Sequence, residues 1–307
     1  VKVLSQIRDA LRLQVAAAVP DVDLIPIPRD GDVPQGVSGE VLLTYPWGSP
    51  NLAQVLARGV RWIHVLGTGI DAFPVHLLHD QILTCSRGAS ALPIAEWVLA
   101  MMLAFEKRLP EAWIHDASAW NRSALGTLHG KTLGLVGLGG IGSAVAARAR
   151  PFGMRVRAYR RTGAAAAGDG VEVLGSLADL VAAADHIVIA APLTAATRRL
   201  FNADLLAIVK PGTHLINVAR GGLVDQDALR AALDDGRVAM ASLDAVEPEP
   251  LPAGHWMYRH PRVRLSPHVS WSMPDAAERL IAPLIDNLRR YQRGAPLTGM
   301  VDLREGY

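Results

Sequence analysis

The chain of 307 residues has one cysteine, no block of like charge and no long apolar run. Each absence removes a class of protein. A single thiol, Cys85, cannot form an internal disulfide, so a reducing cytoplasm is the expected setting. Cys85 falls in a short apolar run of strand length, which predicts a buried, inert thiol. The 31 basic and 29 acidic residues are interspersed and leave a formal net charge of +2, without the basic patch that a nucleic-acid partner requires. The best membrane candidate, Trp97 to Phe105, is too short to span a bilayer and is bounded by Glu96 and Glu106. Arg8, Asp9 and Arg12 interrupt the apolar positions of the N-terminus, which argues against a signal peptide. No membrane, nucleic-acid or metal partner is expected.

What is present is an alternation of short β-like runs and helical stretches. Val41 to Tyr45, Trp62 to Val65 and Ile82 to Ser86 have strand length, and Asn51 to Arg58 reads as a helix between Pro50 and Gly59. A long helix from Pro93 to about Leu109 is apolar on nearly all sides, which implies burial against a domain or a second subunit. Thr132 to Val136 reads as a strand, and Ile141, Val145, Ala149 and Phe152 mark one face of the helix after it. Met154, Val156 and Ala158 alternate with Arg155 and Arg157 as in a half-buried strand. Ser176, with Asp179 three residues on, caps a helix, and Asp225 caps another that Gly236 ends. Ile187 to Ala190, His214 to Val218 and Val238 to Leu243 read as further strands, Ala164 to Ala167 as a loop, and Ala276 to Tyr291 as the last helix. This βαβ rhythm predicts an α/β chain with parallel sheets covered by helices on both faces.

Between the strand at Thr132 and its helix lies Gly137-Leu138-Gly139-Gly140-Ile141-Gly142, a G-x-G-x-x-G turn in the context that gives the pattern meaning. The first glycine permits the tight turn, the second lets backbone approach a pyrophosphate, and the third lets helix pack on strand. The helix N-terminus turns free N–H groups toward the phosphates. An acidic residue at the end of the next strand would hold the ribose 2′-hydroxyl of NAD, but the chain has Tyr159-Arg160-Arg161-Thr162 there. Two guanidinium groups and a hydroxyl suit a 2′-phosphate, so NADP(H) is the expected cofactor, with NAD(H) possible.

Three segments carry polar residues just after strands: Asn217 to Gly222, Asp244 to Pro250, and Ser266 to Trp271. In an open parallel sheet such strand ends line the ligand crevice. Arg220, Glu249 and His268 can therefore converge. Reducing a 2-keto acid needs a cation for the carboxylate and the polarised carbonyl, a proton donor, and a carboxylate to orient that donor. Taken singly, Arg220 can cap a helix or pair with Asp225, Glu249 can be a solvated loop charge, and His268 a hydrogen-bonded core residue.

At these residues the chain resembles the D-isomer-specific 2-hydroxyacid dehydrogenases, and it is nearest their glyoxylate/hydroxypyruvate reductase members. The segments GTLHGKTLGLVGLGGIG, AAPLTAATRRL, LINVARGGLVD, SLDAVEPEP and SPHVSW carry the resemblance, in the family's order. It implies two doubly wound parallel-sheet domains: a Rossmann cofactor domain over 93–273, inserted into a flavodoxin-like substrate domain made of 1–92 and 274–307. It implies catalytic roles for Arg220, Glu249 and His268, and cofactor contacts from Ala191, Pro192, Thr197, Val218, Ala219, Arg220, Asp244 and His268, besides the glycine turn and Arg160 to Thr162. Substrate contacts fall on Leu66, Gly67, Thr68 and Gly69, whose N–H groups would bind a carboxylate, and on Arg220. Trp47 resembles a pocket tryptophan, with core packing an equal reading, and Trp271 can cover the reacting centre or simply pack. The implied reaction is reduction of a small 2-keto acid by a homodimer.

The chain departs from the family's pattern at Gly140, where an arginine is usual, near Ala191, where a histidine is usual, and in the loop Ser90 to Pro93. No regulatory domain follows the last expected helix, which argues against the longer phosphoglycerate dehydrogenases. The rival function on the same fold is a nucleotide-sensing binding protein or corepressor. Formate oxidation is disfavoured because that subgroup pairs its histidine with glutamine.

Overall fold

The computed structural model describes residues 1–120, 124–161 and 170–307. The chain divides into two compact units, Val1–Ser90 with Met273–Tyr307, and Ala91–Ser272. Both are α/β, each built on one all-parallel sheet.

Unit 1 begins with β1 (Lys2–Ser5), α1 (Asp9–Ala18), β2 (Asp23–Pro26), β3 (Val41–Thr44), α2 (Leu52–Leu56), β4 (Trp62–Val65) and β5 (Ile82–Cys85). The sheet order is β2-β1-β3-β4-β5, the flavodoxin-like doubly wound arrangement. β3 and β4 are buried at every residue, as expected of strands covered on both faces, and their unbroken apolar runs are what made them readable. The edge strand β2 has only two partly buried residues and carries no such signal. Burial pushes the Cys85 thiol up, although Arg87 opposes it, so the inert reading stands.

Unit 2 contains α3 (Ala91–Glu106), β6 (Thr132–Val136), α4 (Gly140–Ala149), β7 (Arg155–Tyr159), β8 (Val171–Leu174), α5 (Leu177–Ala183), β9 (His186–Ile189), α6 (Ala203–Ala207), β10 (Thr213–Asn217), α7 (Gln226–Asp234), β11 (Val238–Leu243) and β12 (Val263–Leu265). Its order is β12-β11-β10-β9-β6-β7-β8. The six strands from β8 to β11 reproduce the Rossmann order, and β12 extends the edge. The chain then returns to unit 1 through α8 (Ala276–Gln292), which buries Ile281, Leu284 and Leu288 in the cluster that holds Val3, Leu43 and Trp62. Among the described residues no helix is long and apolar enough to cross a membrane.

Capping follows the sequence closely. Ser176 Oγ accepts the Asp179 N–H, and Asp225 accepts the N–H groups of Asp227 and Ala228. Two readings need correction. Phe152 is not on the buried face of α4: a 3-10 turn over Arg150–Phe152 containing Pro151 ends the helix, Gly153 turns left-handed, and Phe152 is exposed. The long helix α3 stops at Glu106 because Arg108 takes a left-handed backbone. The Ala164 to Ala167 loop lies outside the described residues.

A buried polar chain fastens α3 beneath the unit 2 sheet. Glu106 pairs with Lys131 at 2.7 Å and with His186 Nε2 at 3.0 Å. His186 meets His214 Nδ1 at 3.2 Å, and His214 Nε2 meets Ser242 Oγ at 2.9 Å. Burial alone would raise the Glu106 carboxyl, but hydrogen bonds from His186 and Lys131 outweigh it and hold it below its ordinary value. These groups satisfy one another along a line that runs from the starts of β9 and β10 to the penultimate residue of β11.

Candidate active site

The glycine turn joins β6 to α4 as the spacing predicts. Gly137 has φ +102°, and a Cβ there would lie 2.7 Å from the Ala190 carbonyl oxygen. A Cβ on Gly142 would lie 2.2 Å from the Gly137 oxygen, so helix and strand ends touch only because both residues are glycine. Gly139 differs: nothing lies within 4 Å of the position its Cβ would take. Gly139 is also the residue before α4 and has no side chain to cap it. The first turn of a ten-residue helix thus presents N–H groups over open space, the arrangement a pyrophosphate fills. Leu138 and Ile141 are half buried and pack on the core under α4, and Gly140 is exposed.

The other cofactor-side residues surround this turn. The Gly137 N–H donates to the Tyr159 carbonyl at 2.9 Å, so Arg160 and Arg161 follow directly beside the glycines. Arg160 is half buried and Arg161 exposed, while Thr162 lies outside the described residues. Ala191 and Pro192 leave β9 next to Gly137, and Thr197 Oγ1 closes their loop by donating to the Pro192 carbonyl at 2.7 Å. Val218 and Ala219 bury their side chains in the two core clusters of the unit, leaving backbone as what they can offer a ligand.

Loops after β10, β11 and β12 carry the expected reacting groups. Glu249 Oε2 and His268 Nδ1 are 2.9 Å apart. The other Glu249 oxygen accepts the Val246 N–H at 3.0 Å, which fixes the carboxylate. His268 itself has φ +53°, an unusual backbone for a residue with a side chain. Asp244, almost fully buried, holds that conformation: its carboxylate accepts the Ser266 hydroxyl, the Val269 N–H at 2.9 Å and the Ser270 N–H at 3.0 Å. Trp271 closes the same turn, its indole N–H donating to the His268 carbonyl at 2.8 Å. The strained loop is over-determined, as functional loops are.

Arg220 stands on the neighbouring loop, with Nη1 2.8 Å from the Ala219 carbonyl. Its loop is brought against that of β11 by Gly221, where a Cβ would lie 1.9 Å from the Val246 carbonyl carbon. Asn217 stitches the two together, donating to the Arg220 and Ala245 carbonyls and accepting the Ala219 N–H. Asp225, the partner considered for Arg220, caps α7 and lies 3.6 Å from Arg199 instead. Glu249 and His268 are thus joined by their side chains, and Arg220 approaches through backbone packing. Sequence reasoning gave Asn217 no role. Its signal was an amide closing an otherwise apolar strand, where a loop must be tied.

In unit 1, the turn after β4 is open. The N–H groups of Gly67, Thr68 and Gly69 have no acceptor among the described residues. Leu66 is buried, and Pro46 packs so closely that a Cβ on Gly67 would lie 2.4 Å from its Cγ. Successive N–H groups without a protein acceptor are donors that an anion can take. Trp47 is 57% exposed and stacks on Tyr45, which excludes the core-packing reading. Among the described residues no group of His, Cys, Asp and Glu has the arrangement of a metal site.

A glycine turn between strand and helix of a Rossmann-ordered sheet defines a dinucleotide-binding α/β protein. The family model for the D-isomer specific 2-hydroxyacid dehydrogenase NAD-binding domain matches residues 99–270, and the chain belongs to this family. It is 36% identical over 244 residues to D-3-phosphoglycerate dehydrogenase of Bacillus subtilis, covering 77% of this chain and 46% of that protein. It is 29% identical over 278 residues to glyoxylate/hydroxypyruvate reductase A of Photorhabdus laumondii, covering 85% and 86%. The crystal structure of a D-isomer specific 2-hydroxyacid dehydrogenase from Xanthobacter autotrophicus Py2, in complex with NADPH and MES, superposes with a TM-score of 0.86 at 29% identity, covering 100% and 99%. The chain spans about half the length of the phosphoglycerate dehydrogenases it matches.

Proposed function

We propose that the protein reduces a small 2-keto acid of the glyoxylate/hydroxypyruvate type to the D-2-hydroxy acid, using NADPH in preference to NADH. The Glu249–His268 pair, on a loop that Asp244 holds in a strained conformation, is the observation that carries this reading. Units 1 and 2 serve as substrate and cofactor domains respectively. The homologues with glyoxylate/hydroxypyruvate reductase and NADPH in their names support it.

A reduced nicotinamide, when bound over the glycine turn, supplies hydride to the keto carbon. The residues of the chain do the rest. His268 donates the proton from the ring nitrogen that Glu249 leaves open, so carbonyl oxygen becomes hydroxyl as the new C–H bond forms. Glu249 fixes the ring through Nδ1 and offsets the charge on a protonated imidazole. The Arg220 guanidinium holds the carboxylate and opposes negative charge growing on the carbonyl oxygen. In unit 1, the N–H groups of Gly67 to Gly69 are donors suited to a carboxylate. Asp244 keeps His268 in place and would serve the carboxamide of a bound nicotinamide. Arg160 and Arg161 would hold the 2′-phosphate. A homodimer in the cytoplasm is the proposed working form.

The test is loss of reduced-nicotinamide absorbance with glyoxylate, hydroxypyruvate, pyruvate and bulkier 2-keto acids, with NADPH and NADH side by side. Turnover favouring NADPH supports the reading. Tight NADPH binding without turnover of any acid would favour a nucleotide-sensing binding protein.

A further inference from the structure

The turn that carries Glu249 has little backbone fastening of its own. Pro248 and Pro250 have no N–H to give, so only Val246, Glu247 and Glu249 can donate from the stretch Val246 to Pro250. Among the described residues, no backbone–backbone hydrogen bond joins this stretch to the rest of the chain. The Val246 N–H goes to the carboxylate of Glu249 itself, at 3.0 Å. The conformation that points Glu249 at His268 therefore depends on packing and on side chains.

Gln226 supplies the main grip. Its Nε2 donates to the Glu247 carbonyl at 2.5 Å, and its Oε1 accepts the Glu247 N–H at 3.3 Å. One amide thus pairs with both polar groups of one residue's backbone, as an antiparallel strand would. Gln226 can do this because its own base is fixed. It is the first residue of α7, and the N-cap Asp225 accepts the N–H groups of Asp227 and Ala228. Asp225 also donates its own N–H to the Phe201 carbonyl at 3.0 Å. Gly221, on the same segment, lies under the turn, and a Cβ there would be 2.4 Å from the Glu247 nitrogen.

A second contact reaches the turn from the loop after β9. Arg198 Nη1 lies 3.1 and 3.0 Å from the two Glu247 carboxylate oxygens, with both side chains about half exposed. A solvated pair of this kind contributes little. It also holds the Glu247 side chain and not the backbone that leads on to Glu249. We propose that Gln226 is a positioning residue: by gripping the Glu247 backbone it aims the Glu249 carboxylate at His268. The proposal rests on the 2-keto acid reading for its kinetic consequence and on the geometry of unit 2 for its structural one.

The test uses Gln226→Met, which keeps the length of the side chain and removes both bonds. With NADPH and the best 2-keto acid, kcat should fall about 5- to 30-fold, the value of one to two neutral hydrogen bonds. KM for the acid and NADPH affinity should stay within about threefold, because Arg220 and the glycine turn are held by other contacts. In a Glu249→Ala background the same substitution should lower kcat less than about twofold, since the group it positions is gone. A loss of similar size in both backgrounds, or kcat unmoved by Gln226→Met, overturns the proposal. If no 2-keto acid is reduced, the functional reading fails by itself, and crystal structures of the parent protein and of Gln226→Met decide. A Glu249 carboxylate displaced from His268 Nδ1 by more than about 0.5 Å, or split between two positions, supports the proposal, and one left in place overturns it.

Discussion

Glu249 and His268, nineteen residues apart and on loops from different strands, meet at 2.9 Å through Oε2 and Nδ1. Because Val246 N–H holds the other Glu249 oxygen, the carboxylate is an orienting group with a fixed direction. Glu249→Gln keeps the shape but removes the charge that offsets a protonated ring. We expect kcat to fall about 10²- to 10³-fold, with cofactor affinity changed less than threefold. Steady-state kinetics and NADPH titration of the variant check both halves.

Gly139 offers a cleaner probe of the cofactor site than its neighbours. Its Cβ would meet no protein atom and its φ is −89°, so Gly139→Ala should melt within a few degrees of the parent protein. It should nonetheless weaken NADPH at least tenfold, because the methyl enters the space left for pyrophosphate. Gly142→Ala, which strikes the Gly137 carbonyl, should lose stability first. Thermal melts with and without NADPH separate the two.

Arg160 follows the strand end that bonds Gly137. Arg160→Asp replaces a phosphate partner by a group that repels phosphate and accepts ribose hydroxyls. The kcat/KM ratio of NADPH to NADH should fall at least tenfold. An unchanged ratio would remove Arg160 from this role.

Acid should destabilise unit 1 through His64. The ring is fully buried, bonded to Thr84 and Ser86, and desolvation lowers its pKa from 6.5 to about 3. An unfolded chain takes up a proton near 6.5, and the folded one waits until about 3. The stabilisation is therefore complete above pH 6.5, is lost as pH falls through that window, and is gone below 3. His214 acts in the same direction, lowered by burial and then by His186 and Arg264. His64→Gln should flatten the slope of stability against pH between 6 and 4 by up to about 1.4 kcal/mol per pH unit. Urea unfolding at several pH values measures it.

Much of this was legible locally. The glycine turn, the Ser176 and Asp225 caps, and strands as apolar as β4, β6 and β11 depend on near neighbours, and the sequence shows them at their observed positions. β2 and β8 were not legible because edge strands bury few residues. Phe152 was misplaced because periodicity does not register that Pro151 and Gly153 end a helix. The bonds from Asp244 to the loop of His268 depend on which loops meet at a sheet end. The order of strands, not of residues, creates that relationship.

The central claim is that His268 delivers the proton in a reaction on a 2-keto acid. The direct measurement is turnover of the wild-type protein and of His268→Gln with NADPH and the best acid, alongside NADPH affinity of each. A loss of at least 10³-fold in kcat with NADPH affinity held within threefold is the result this account requires. Undiminished turnover in His268→Gln would contradict it.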